Sequence, residues 1–116
     1  MVRMMRMIGE IVCPSVVLLG EVVMEPEKVV PYFGTVENPE CHMLYNVTTM
    51  ATTWNSVATG DTRLLRRQMD IVNRLPREYT FLNYLRCHDD IGWGLDYDTL
   101  SKWGMKEVPQ KKYLND

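Results

Sequence analysis

Val16-Val17-Leu18-Leu19-Gly20-Glu21-Val22-Val23 is an almost unbroken run of β-branched residues and leucine, with one carboxylate near its C-terminal end. A strand with one wet face alternates apolar with polar residues, whereas a continuous apolar run is the pattern of a strand covered on both faces of a parallel sheet. The run therefore predicts a buried strand, and Glu21 stands where it emerges. Further on, Tyr79 to Cys87 reads as a second strand whose end, Asn83-Tyr84-Leu85-Arg86-Cys87-His88-Asp89-Asp90-Ile91-Gly92-Trp93, gathers polar groups in the same way. Between the two, Cys41-His42-Met43-Leu44-Tyr45-Asn46 reads as a short strand. Side chains at such ends are held rigidly and face a cleft, so Glu21, Asn46, His88 and Asp89 define a candidate rim at the C-terminal ends of parallel strands.

The segments between these strands carry helical spacing. From Val2 to Val12, the residues Met4, Met5, Ile8, Ile11 and Val12 recur on one side, with Arg3, Arg6 and Glu10 left for the other, until Pro14 stops the helix. The apolar side is expected to face the core. A short helix opens at Glu25-Pro26-Glu27 and is stopped by Pro31 and Gly34. Val47 to Ala58 predicts a helix broken at Thr59-Gly60, and Asp61 is placed to cap a second one that turns Leu64, Leu65, Ile71, Val72 and Leu75 inward before Pro76. Helices over Tyr97 to Trp103 and from Lys111 to Asp116 complete the pattern. Strands alternating with helices predict a parallel sheet with right-handed crossovers. The first helix has no capping residue and the last one barely starts, so both ends read as cut. Three strands cannot close a barrel of eight, and an open sheet leaves two bare edges that favour self-association.

Composition narrows the function classes. With 116 residues the chain is one domain, and 46% hydrophobic with 24% charged residues is an ordinary globular balance. A net charge of −2 gives no long-range attraction to a phosphate backbone, which argues against a nucleic-acid partner. The apolar runs fall far short of the roughly 20 residues of a membrane span, and the N-terminus lacks the pattern of a secretory signal. Three scattered cysteines suit a reducing compartment and free thiols, so a cytoplasmic protein is expected. Cys41-His42 and Cys87-His88 lack the spaced partners of a zinc site, and Asp96 with Asp98 lacks the glycine and terminal glutamate of a calcium loop. No metal or cofactor is expected. Arg63, Arg66 and Arg67 read as the solvated face of a helix.

Leu19-Gly20-Glu21-Val22-Val23 followed by Pro26, then Tyr45-Asn46, then Asn83 to Trp93, resembles the second half of the catalytic barrel of the α-amylase superfamily. The likeness is strongest to the branch containing amylosucrase. The resemblance implies a partial (β/α)8 barrel, a TIM barrel segment of about three parallel strands with flanking helices, covering strands five to seven. It implies that Glu21 is the general acid/base and Asp89 the carboxylate that stabilises the oxocarbenium-like state. His88, and with it Asp90, Asn46, Tyr45 and Trp93, would bind the sugar, either sucrose or an α-glucan. The nucleophile of this family lies in a Gly-x-Arg-x-Asp type segment at the end of strand four, and no carboxylate of this chain matches it. The resemblance therefore implies a fragment of a retaining glycoside hydrolase or glucosyltransferase of carbohydrate metabolism that is inactive alone. The alternative is a noncatalytic chain that binds sugar or self-associates through its sheet edges.

Overall fold

The structure, a computed structural model, describes residues 1–86 and 95–106. It is an α/β arrangement built on a sheet of three parallel strands, β1 (Leu19–Gly20), β2 (Met43–Tyr45) and β3 (Thr80–Leu82). Their spatial order is the chain order, β1-β2-β3, so each crossover steps one strand further in the same direction. Leu19, Met43 and Thr80 form one row of the register, and Gly20, Leu44 and Phe81 form the next. Successive rows point to opposite faces of the sheet.

The second row builds the core. Leu44 is fully buried among Val29, Phe33 and Cys41, with Val2, Val22, Tyr79 and Phe81 packed around them. Val29 closes the short helix α2 (Pro26–Val29), and Phe33 closes the 3₁₀ turn that follows it over Val30–Phe33. The Phe33 ring stacks on Tyr79 at 4.6 Å and meets the edge of Phe81 at 5.3 Å. Gly20 is required for this close approach, because a Cβ there would lie 2.6 Å from Leu44 Cδ2 and 2.8 Å from Cys41 Sγ.

Two long helices lie between β2 and β3. α3 (Val47–Thr59) ends as expected at Gly60, whose φ of 71° is left-handed and whose N–H reaches Ser56 O. α4 (Arg63–Arg74) follows, and Ala51, Leu64, Leu95 and Leu100 form a second core, to which the short helix α5 (Tyr97–Lys102) contributes Leu100. α3 also buries a polar side that hydropathy does not announce. Thr48 donates to Met24 O at 3.2 Å and Thr52 donates back to Thr48 O at 2.8 Å, which satisfies both hydroxyls. None of the helices among the described residues is long and apolar enough to cross a membrane.

Three expectations change. The Val16–Val23 run pairs over two residues only, and Val17, Leu19 and Val23 are exposed. The core lies on the face of Gly20, Leu44 and Phe81, while on the other face Leu19 and Thr80 are exposed and cover reaches only Tyr45 at the strand end. The first helix, α1 (Val2–Val12), forms where its spacing predicts but is turned round: Met4, Met5, Ile8, Ile11 and Val12 are exposed. Val29 and Phe33 already fill the core face, leaving α1 to meet the body through Val2, Arg6 and Gly9. Arg6 Nη1 donates to Glu40 O at 3.3 Å, and a Cβ on Gly9 would come within 2.9 Å of Val16. Finally, β3 spans three residues and stops well before Arg86. The helix expected from Lys111 lies outside the described residues.

Candidate functional site

Three strand ends define the rim. Glu21 directly follows β1, where the chain leaves the sheet for α2, and its side chain is exposed. Tyr45 closes β2, and Asn46 follows it as the N-cap of α3. Leu82 closes β3, and Asn83 and Tyr84 follow.

Asn46 is the most constrained of these. It is buried, and its Oδ1 accepts the Thr49 backbone N–H at 3.4 Å, as an N-cap does. Its backbone N–H donates to Leu82 O at 3.0 Å, and its Nδ2 donates to Asn83 Oδ1 at 2.9 Å. These bonds carry the β2–β3 pairing past the strand ends and align two amides on the rim. Asn83 itself remains exposed. Tyr45 meets Tyr84 edge to face at 5.0 Å, and both pack with Trp54 over Val47 and Met50.

His88, Asp89, Asp90 and Trp93 lie outside the described residues. The chain on either side of them is anchored to the same helix, α3. Before them, Leu85 O accepts the indole N–H of Trp54 at 2.6 Å. After them, Leu95 is buried with Ala51 in the second core, and Asp96 caps α5 by accepting Thr99 N at 3.0 Å and Thr99 Oγ1 at 2.7 Å. Burial pushes the Asp96 carboxyl up, but the Thr99 bonds and the nearby Arg67 outweigh it and hold the carboxyl below the usual aspartate range.

The sequence reading placed Glu21, Tyr45 and Asn46 at strand ends, and the structure brings Tyr45 and Asn46 together across the β2–α3 junction. Asn83, Tyr84 and Trp54 were not singled out as site residues. Asn83 stands directly after β3 as Asn46 does after β2, a repetition that appears only with the observed end of β3. Elsewhere, the arginines of α4 line an open groove with Asp70 and Trp103; Asp61 pairs with Arg63 at 2.6 Å, and Asp96 lies 3.7 Å from Arg67. Cys41 is buried, which pushes its thiol up, and Cys13 is exposed. Among the described residues no group of three or more His, Cys, Asp or Glu side chains could hold a metal ion. No protein-family model matches the chain.

Proposed function

We propose that the chain is the part of a retaining α-glucoside-processing (β/α)8 barrel, of the α-amylase superfamily and its amylosucrase-like branch, that carries the general acid/base and the transition-state stabiliser. One observation supports this most: parallel strands in sequential order, with Glu21 and the Tyr45-Asn46 pair at the C-terminal ends of neighbouring strands. A parallel sheet that steps always in one direction is the arc from which a closed barrel is built, and barrel chemistry sits at the C-terminal ends of its strands.

In this reading Glu21 protonates the glycosidic oxygen and then, as a carboxylate, activates the acceptor. Its exposed side chain, just past the strand, leaves it free to approach a substrate oxygen. Asp89 grips sugar hydroxyls and stabilises the oxocarbenium-like state, beside His88, Asp90 and Trp93. The aromatic pair Tyr45–Tyr84 and the exposed amide of Asn83 offer a ring edge and a hydrogen-bonding group to a sugar, while Asn46 holds that amide in place. The substrate is sucrose or an α-glucan, in the cytoplasm. A retaining enzyme needs its nucleophile about 5 Å from the acid, and no carboxylate of these 116 residues matches that role, so the chain by itself is inert. The second reading, a noncatalytic chain that binds sugar or self-associates, is favoured by the edges of β1 and β3, which pair with no further strand among the described residues.

The test reads the DNA in frame upstream of the Met1 codon. A strand ending in a Gly-x-Arg-x-Asp type segment supports the enzyme, and in the product that contains it Glu21→Gln should lower turnover by roughly 10²–10⁴-fold. Full turnover in that variant overturns the assignment of the acid. Upstream sequence with no such segment favours the noncatalytic reading.

A further inference from the structure

A cavity of about 170 Å³ opens between α2, α4 and α5, and Gln68 of α4 lines it. Gln68 is only 3% exposed, and its Nε2 has no hydrogen-bond partner. Buried donors are almost always paired, so this one calls for an acceptor that the described residues do not supply. The rest of the wall is charged but nearly balanced, with four carboxylates against three cations among the described residues. Most of these charges answer one another. Lys28 bonds Glu25 at 3.0 Å, and Arg67 lies 3.7 Å from Asp96. The Lys28 ammonium is held above its ordinary pKa chiefly by that bond to Glu25, with Asp98 and Asp96 adding to the same field, so carboxylates of α2 and α5 converge here. Asp98 and Lys102 themselves enter no ion pair or side-chain hydrogen bond among the described residues.

We propose that this cavity binds a small neutral polyol, a single sugar ring, with the buried Gln68 amide beneath it and the exposed Asp98 and Lys102 at its mouth. A hydroxyl both accepts and donates at one oxygen, so the same ligand can take the Gln68 N–H and give a proton to the Asp98 carboxylate. A ligand with net charge finds no excess of the opposite sign in the wall. An amino acid would need free charges of both signs, and two of the three cations are already matched. Size agrees with the choice. The volume exceeds the about 30 Å³ of one water several-fold, yet falls below the about 300–1,000 Å³ of pockets for drug-sized ligands. None of Glu21, Tyr45, Asn46 and Asn83 lines the cavity. The inference therefore stands on Gln68 and its neighbours and is independent of the role given to Glu21.

Nuclear magnetic resonance of the isotope-labelled chain reads the site directly. The side-chain amide signals of Gln68, identified by their loss in Gln68→Met, should shift saturably as D-glucose is added. Gln68→Met keeps the length of the side chain and removes the unpaired donor, so the fold should be retained while glucose affinity by calorimetry falls about five- to tenfold, the worth of one hydrogen bond. Asp98→Ala, at an exposed position, should weaken binding by a similar factor, and Val36→Ala, at a 92% exposed loop position, should leave it unchanged. The wild-type amide shift decides the matter even if a variant fails to fold. Gln68 signals that do not respond to glucose overturn the inference, since the cavity then holds water only. A response to glycine in place of glucose assigns the cavity to a zwitterion and overturns it too. Glucose binding that is as tight in Gln68→Met as in the wild type also overturns it, by placing the sugar at the rim of Tyr45, Tyr84 and Asn83, and that outcome would leave the proposed function standing.

Discussion

The backbone N–H of Leu18 donates to Nδ1 of His42 at 3.0 Å, while Leu18 O accepts the backbone N–H of His42 at 3.0 Å and of Met43 at 3.2 Å. The imidazole thus stands in for a ladder bond at the point where the two-residue strand β1 runs out of backbone partners. Because Nδ1 accepts, the ring proton sits on Nε2, which lies 3.6 Å from Glu10 Oε1 on α1. One side chain ties β1, β2 and the first helix together.

His42→Ala leaves the half-buried Leu18 N–H without its acceptor, and should lower stability by about 1 kcal/mol, up to about 3 if water does not reach the group. His42→Asn, whose Oδ1 can accept in place of Nδ1, should recover part of that loss. Urea denaturation of the three proteins measures both effects. Equal stability of wild type and His42→Ala would show that the bond contributes nothing net to the fold.

Asn46 and Asn83 should be energetically coupled. Asn46→Ala removes an N-cap, at about 0.5–2 kcal/mol, and leaves the Oδ1 of the exposed Asn83 to water. Asn83→Ala leaves the Nδ2 of the buried Asn46 without its acceptor and should cost about 1–3 kcal/mol where water does not reach it. In a double-mutant cycle the coupling should be about 1 kcal/mol. Additive effects would mean that the 2.9 Å contact does not hold the rim, and the alignment of the two amides would need another cause.

These residues also show where a sequence reading succeeds and where it stops. The apolar centre around Leu44 and the breaks at Thr59-Gly60 and Pro76 are local signals, so the order of elements and the bounds of α3 and α4 follow from them. The face that α1 buries does not. Periodicity reveals that an apolar side exists, but what covers it depends on space left by other elements, and here Gly9 and Arg6 fit that space while Ile8 does not. Strand length fails for the same reason, since a run such as Val16–Val23 can be buried only as far as neighbours extend. The position of Glu21 just past β1 was legible, because a carboxylate stands out at the end of an apolar run. Asn83 was not, because the β-like composition continues past the true end of β3.

Asp96 gives a pH signature for the docking of α5. Its carboxylate accepts two bonds from Thr99 and faces Arg67, so its folded pKa lies below the unfolded value despite the opposing effect of burial. A depressed folded pKa contributes stability above the unfolded value, about 3.9, and that contribution is lost as the pH falls through the lowered folded value. Asp96→Asn keeps a capping oxygen but removes the charge, so the other carboxylates cancel when variant and wild type are compared. The wild type should be the more stable at pH 7, and its advantage should shrink below about pH 4 as the carboxylate takes up its proton. Asp96→Ala, which loses the cap as well, should cost about 1 kcal/mol more or less uniformly on top of this. Denaturant midpoints of the three proteins from neutral to acid pH measure the difference. A gap between wild type and Asp96→Asn that does not change with pH would mean that Thr99 is held by hydrogen-bond geometry alone, with no contribution from the charge shared with Arg67.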